Sequence, residues 1–331
     1  MFRFARLTIL LILTFTAFAL PPTQAQFYPD TIIEQAWATP CADDNPTLTA
    51  DMFIDNANMD ADTVLIGVAG VMIDSAVLTP IGTACESAQL VPSAMTIAAG
   101  EAANLADFGL TLALIPTEDY EIGDPLSLRV NFDVLDDNGE EVSSSFSTMI
   151  GLLVLDEAPE PSPLLFHTPW TRPTVFEPMD GMDMSKATEE AMDDMDHMGM
   201  DGMMMDMSGN HAVYGQLINR DEATLTLVGG STDVAEFVEI HETVIEDDVA
   251  MMTPIPGLEL AVDETLEMAP GGFHIMLVNL NTELRTGDAI ALTLFFEYPN
   301  GNSTELTLAV PVYDAQLAEL EMLDMPMNDN D

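Results

Sequence analysis

The 331-residue chain predicts an all-β protein, with two antiparallel β-sandwich domains in tandem and a flexible insertion in the second. Three observations carry this. Short runs of alternating apolar and polar residues recur through both halves, and a period of two turns one face of each strand toward a core. Clusters of Gly, Asn, Asp and Pro break the runs at close intervals, as turns between short strands require. A proline-rich stretch, stiff and extended by composition, divides the chain near its middle.

Taken in order, residues 1–25 come first. Arg3 and Arg6 precede an apolar run from Leu7 to Leu20 and a Thr-Gln-Ala end at Ala25. These are the three parts of a secretory signal, and the apolar run is too short for a settled membrane span. Cleavage near Ala25 would leave a periplasmic or otherwise extracytoplasmic protein. No cysteine lies near that point and no later apolar run is long enough to cross a bilayer, so no stable membrane anchor is expected.

The first domain, residues 26–156, shows strand-like runs at Thr63–Gly67, Leu110–Ile115, Leu126–Val134 and Ser145–Val154. Asp136-Asp-Asn-Gly139 supplies a turn. The linker, 157–164, contains Pro159, Pro161 and Pro163. The second domain, 165–313, opens on Trp170 and is then interrupted at about 177–211 by a segment of mostly Met, Asp and Gly. It has no strand period, so a flexible insertion is expected. Strands resume at Ala212–Asn219, Thr224–Gly229, Phe237–Ile245, Thr265–Met268, Phe273–Asn279, Ala289–Tyr298 and Thr304–Val312, with turns at Pro270-Gly-Gly272 and Asn300-Gly301. Residues 314–331 form an acidic tail containing Met322, Met325 and Met327, which offer at most weak metal contacts.

The formal net charge is −50, from 57 acidic and 7 basic residues. Such a surface repels nucleic acid and anionic lipid, which removes both as partners. Solubility or salt adaptation is the simplest use of the acidity. The two cysteines, Cys41 and Cys85, are expected to pair in an oxidising compartment, and their spacing lacks the Cys-x-x-Cys pattern of a redox or metal site.

The halves also resemble each other. Glu121-Ile-Gly-Asp-Pro-Leu-Ser-Leu-Arg-Val-Asn-Phe132 lies over Arg285-Thr-Gly-Asp-Ala-Ile-Ala-Leu-Thr-Leu-Phe-Phe296, Trp37-Ala-Thr-Pro40 over Trp170-Thr-Arg-Pro173, and Leu65-Ile-Gly67 over Leu227-Val-Gly229. An internal duplication follows. In that register Leu110 and Leu112 fall opposite His274 and Met276, and residues 26–156 contain no histidine.

His241, Met252, His274 and Met276 are the candidate ligands. His274 and Met276 are two apart in a strand and so share a face, while Ile275 turns away. His241 comes from the preceding strand and Met252 from the loop after it, with neighbouring Met251 read as packing. Two imidazoles and two thioethers form a soft, uncharged set that selects Cu(I). Taken singly, each is more simply core filler or a hydrogen-bonded histidine. Four at this spacing suggest a site. Without a thiolate ligand it is not a blue-copper centre, and no nucleophile, base and orienter set marks an enzyme.

His241-Glu-Thr-Val, Met252 and Pro270-Gly-Gly-Phe-His-Ile-Met-Leu277 resemble the periplasmic copper chaperones of the PCuAC family, over about Phe166 to Val312. The resemblance implies a cupredoxin-like, immunoglobulin-like sandwich holding Cu(I) through His241, Met252, His274 and Met276. It also implies delivery to a recipient cuproprotein such as cytochrome c oxidase subunit II, with its binuclear copper centre. Glu242 stands where some members have methionine, and the insertion interrupts the usual start of the domain. That insertion is similar to Met/His-rich extensions of some members. Met182, Met184, Met195, His197, Met198, Met200, Met203, Met204, Met205, Met207 and His211 are its auxiliary candidates for copper, with Asp side chains assisting Cu(II). The competing readings are a copper store built on the insertion and a β-sandwich interaction protein whose methionines are incidental.

Overall fold

The computed structural model describes residues 31–41, 45–57, 61–85, 95–135, 141–174, 210–246 and 249–313. The expected signal segment, the Asp136–Gly139 turn, the acidic tail and every auxiliary candidate in the insertion except His211 lie outside the described residues. No helix among those residues is long and apolar enough to cross a membrane.

The first sheet is built from β1 (Thr31–Pro40), β2 (Leu48–Asn56), β3 (Asp62–Ala69), β4 (Ile73–Pro80), β5 (Met95–Ile97), β6 (Ala102–Asn104), β7 (Leu110–Pro116), β8 (Pro125–Leu135) and β9 (Glu141–Val154). Its strand order is β4-β7-β2-β1-β9-β8-β3-β5, with β6 also on β2. In β2 burial alternates without a break, because Leu48, Ala50, Met52 and Ile54 point inward while Thr49, Asp51 and Phe53 do not. Leu78 of β4 and Ile97 of β5, from opposite ends of the strand order, share one core with Leu65, Leu112 and Phe132. The sheet therefore wraps over itself as two packed layers. Cys41, just after β1, is disulfide-bonded to Cys85, closing a separation of 44 residues.

The second sheet contains β10 (Leu164–Thr171), β11 (His211–Asn219), β12 (Leu225–Ser231), β13 (Ala235–Glu246), β14 (Val249–Ile255), β15 (Leu258–Leu260), β16 (Thr265–Met268), β17 (Phe273–Leu280), β18 (Ala289–Glu297) and β19 (Ser303–Pro311). The order is β10-β11-β16-β17-β13-β12-β18-β19, with β14 on β13 and β15 on β12. Its core joins Val213, Leu227, Ile240, Ile275, Leu277, Leu292 and Phe296. The expected linker is shorter than its composition suggested, since Leu164 is buried and already paired with Asn219 in β10.

The pairing scheme of the first sheet recurs in the second. β3 meets β8 with a register shift between Leu65 and Gly67, and β12 meets β18 with the same shift between Leu227 and Gly229. Asn56 Nδ2 donates to the carbonyls of Ala61, Ile97 and Ala98; Asn219 Nδ2 donates to those of Ala223, Leu260 and Ala261. The Gly123-Asp124 turn ties to Val154 as Gly287-Asp288 ties to Val312. One element has no counterpart among the described residues. Where β4 stops at Pro80, β13 runs on and returns as β14.

The two domains touch through β9 and β19. Gly151 lies so close to Ala309 that a Cβ there would run into the Ala309 carbonyl.

Candidate metal centre

β13 is the strand on which the site is assembled, because it pairs with β17 on one side and β14 on the other. Its antiparallel register with β17 sets His241 directly across from His274 and Glu239 across from Met276. Its register with β14 sets Thr243 across from Met252. Directly opposed residues share a face, and so do residues two apart along a strand. Glu239, His241, Thr243, Met252, His274 and Met276 are thus on one face of the sheet. The other face carries Ile240, Ile275 and Leu277 into the core. Glu242 pairs with Phe273 and turns away from the candidate ligands.

Three of the four candidates are buried on a face outside the main core. His274 is 1% exposed, Met276 7% and His241 9%, whereas Met252 is 56% exposed. The cover over His274 is aromatic. Its ring lies 6.2 Å from that of Tyr214, which lies 4.8 Å from Trp170; Arg172 sits 5.9 Å above the Trp170 ring. The two imidazole centroids are 5.7 Å apart.

The ring nitrogens are assigned by their partners. The Gly272 carbonyl can only accept, so His274 Nδ1 donates to it at 3.2 Å and Nε2 is left with its lone pair. The Glu239 carboxylate lies 2.8 Å from His241 Nε2, so that nitrogen donates, and in the neutral ring Nδ1 carries the lone pair. His274 Nε2 and His241 Nδ1 are both buried with no protein hydrogen-bond partner. Leaving such a group unmatched costs about 1–3 kcal/mol, and two of them on facing strands are what paired metal-ligand nitrogens would look like. Burial pushes the His274 imidazole below the ordinary histidine range; the Gly272 carbonyl opposes this, and His241 adds a smaller push downward. A neutral imidazole is the form that ligates.

Several expectations change. Met252 lies in strand β14, not in a loop; the extended hairpin was masked by Pro254 and by the lack of a turn motif. Met251, opposite Val244, points to the other face and is 45% exposed, so it is not packing. His211 belongs to β11, opposite Leu277, on the face turned away from Met276; it does not join the four candidates. Glu239, Tyr214 and the Gly272 carbonyl were missed. Only Glu239 carried a signal, by standing two residues before His241 on a strand. Among the described residues no group of three or more His, Cys, Asp or Glu side chains could hold a metal.

A family model described as "Putative lipoprotein LpqE-like" matches residues 171–312. "Putative lipoprotein Lxx21020" from Leifsonia xyli subsp. xyli is 32% identical over 149 residues, spanning 45% of this chain and 79% of its own. Among solved structures, the chain is similar to the copper-bound PCuAC domain from PmoF2, at 20% identity over 46% of this chain and 93% of that one, with a TM-score of 0.29. It is also similar to the Cu(I)-bound solution structure of DR1885 from Deinococcus radiodurans, at 25% identity over 33% of this chain and 71% of that one, with a TM-score of 0.27.

Proposed function

The chain belongs to the LpqE-like family, and we propose that it is an extracytoplasmic, non-enzymatic copper chaperone whose second domain holds one Cu(I) through His241, Met252, His274 and Met276. One observation carries the reading. Two buried imidazoles face each other across β13 and β17, each with one ring nitrogen engaged by the protein and the other unpartnered, and two methionines stand on the same face.

The chemistry is that of a soft, uncharged set. Thioethers need no deprotonation, and a buried neutral imidazole adds affinity without adding charge. Both cysteines are consumed in the disulfide of the first domain, so no thiolate competes for the ion. That disulfide also fits an oxidising compartment, as does the description of the Leifsonia relative as a lipoprotein. Three ligands are buried and the fourth is open to solvent, which suits transfer: a recipient's donor can approach from the Met252 side. The recipient would be a cuproprotein such as cytochrome c oxidase, at its binuclear centre. The Met-rich insertion would collect copper ahead of the site. The first domain, with the same pairings and no histidine, is read as a copy that kept the fold without the ligands.

Cu(I) titration of the mature protein, with and without residues 175–209, tests this. One tightly held ion in both forms, lost in His274→Ala and weakened in Met276→Ala, is expected. Tight binding that vanishes with residues 175–209 would make the protein a copper store, and no binding in either form would leave an interaction protein.

A further inference from the structure

We propose that Glu239 is a positioning residue that fixes the orientation of His241, so that the two histidines offer copper different ring nitrogens: Nδ1 from His241 and Nε2 from His274. The inference rests on the Cu(I) reading above and adds to it a residue outside the ligand set.

Glu239 is placed for this by strand geometry. It precedes His241 by two, so both side chains leave the same face, and it is the direct cross-strand partner of Met276. Its Oε2 accepts from His241 Nε2 at 2.8 Å. The His241 side chain is 11% exposed and that of Glu239 44%, so the carboxylate sits at the rim and reaches inward to the ring. An imidazole turned half round would put Nδ1 at the rim and Nε2 inside. The charged hydrogen bond selects against that orientation, because the turned ring would put carbon Cε1 where Nε2 now meets Oε2. His274 receives the same service from a backbone carbonyl, that of Gly272. One histidine is thus oriented by the main chain and the other by a side chain.

A ligand role for the carboxylate is less well supported. It is a hard donor with little preference for Cu(I), its Oε2 is spent on Nε2, and no carboxylate and histidine trio that could hold a metal occurs among the described residues.

The first domain provides an internal control. With the buried Asn56 and Asn219 superposed, pairing of β4 with β7 places Thr79 opposite Thr111 and Val77 opposite Ala113, where the second domain has His241 opposite His274 and Glu239 opposite Met276. Where the histidines are absent, the glutamate position holds a valine, Val77. The carboxylate accompanies the ligands and is not needed by the sheet.

Long-range proton–nitrogen NMR of the histidine rings tests the proposal on the full chain. In the apo protein His241 should carry its proton on Nε2 and His274 on Nδ1. Adding Cu(I) should shift His241 Nδ1 and His274 Nε2. Glu239→Ala should leave His241 as a mixture of tautomers and weaken Cu(I) binding about tenfold to a hundredfold. Glu239→Gln, whose amide oxygen still accepts from Nε2–H, should recover most of both. A shift at His241 Nε2, or an alanine variant with unchanged tautomer and affinity, overturns the proposal. If copper binds and His274→Ala abolishes it while His241 Nε2 is the shifted atom, only this proposal fails; if wild-type protein takes up no Cu(I), the functional reading fails with it. Should the alanine variant not fold, the wild-type spectrum and the glutamine variant decide.

Discussion

Burial divides the four candidate ligands into two kinds. Met276 is 7% exposed and packs between strands, whereas Met252 is 56% exposed on a hairpin. Met276→Ala should therefore cost both copper and fold, the latter by about 2–5 kcal/mol as for other buried methionines. Met252→Ala should leave stability nearly unchanged, keep copper on three ligands and release it faster. Urea denaturation and stopped-flow transfer to a Cu(I) chelator read the two effects separately; equal stability losses would refute the distinction. His211 makes a pH prediction. Burial, and then the charge of Arg172, hold its imidazole below the ordinary value of 6.5. Above 6.5 both folded and unfolded states are neutral at this group, and it contributes nothing to the pH dependence. As pH falls below that value the unfolded chain takes up the proton first, so stability is lost. Comparing urea midpoints at about pH 7.5 and about pH 5.5 should show a smaller drop in His211→Gln than in the parent. His274, shifted in the same direction, leaves part of the dependence in place.

The hairpin formed by β13 and β14 is the element that turns a sandwich into a candidate copper domain. It extends β13 past the point where β4 stops and brings Met252 to the His241 face. Replacing residues 242–253 by an Asn-Gly turn should leave the second domain folded, because the core strands do not depend on β14, and should leave Cu(I) on His241, His274 and Met276 with reduced affinity. Circular dichroism and a competition titration check this; loss of the fold would show that the hairpin is structural. Strands were legible in the sequence where one face is buried and the other is not. β18 alternates in this way along its length and β12 in its first half, and the sequence places β11, β12, β13 and β16 to β19 within a residue or two of their bounds. β10 was not legible, because Leu164, Leu165, Phe166 and His167 are all buried and Pro169 follows, which leaves no period to see. β2 does alternate, but Asp51 and Asp55, residues depleted in strands, obscured it. β14 reads as a loop in the sequence because it contains Pro254 and consecutive Met251 and Met252.

Across the whole molecule, two sheets repeat one pairing scheme, and the second carries the four candidate ligands. The described part of the first domain has its own core, its own strand pairings and a disulfide. Produced alone under oxidising conditions, residues 26–156 should fold and bind no Cu(I) tightly. A cooperative urea transition with no copper retained after gel filtration is the expected result; one stoichiometric ion would overturn the assignment of the site to the second domain. Residue identity and local spacing supply the donor types, the His-x-Met pair on one strand face, the strong acidity and the two cysteines free to pair. Each of these depends on residue chemistry or on spacing within one strand. Only the pairing of distant strands sets His241 against His274 at a sequence separation of 33, turns His211 to the opposite face, and lets Glu239 and the Gly272 carbonyl each occupy one ring nitrogen. Those facts depend on register between strands distant in sequence. A slip of one residue would send either histidine to the other face of the sheet, and no local pattern around His241 or His274 records which register is chosen.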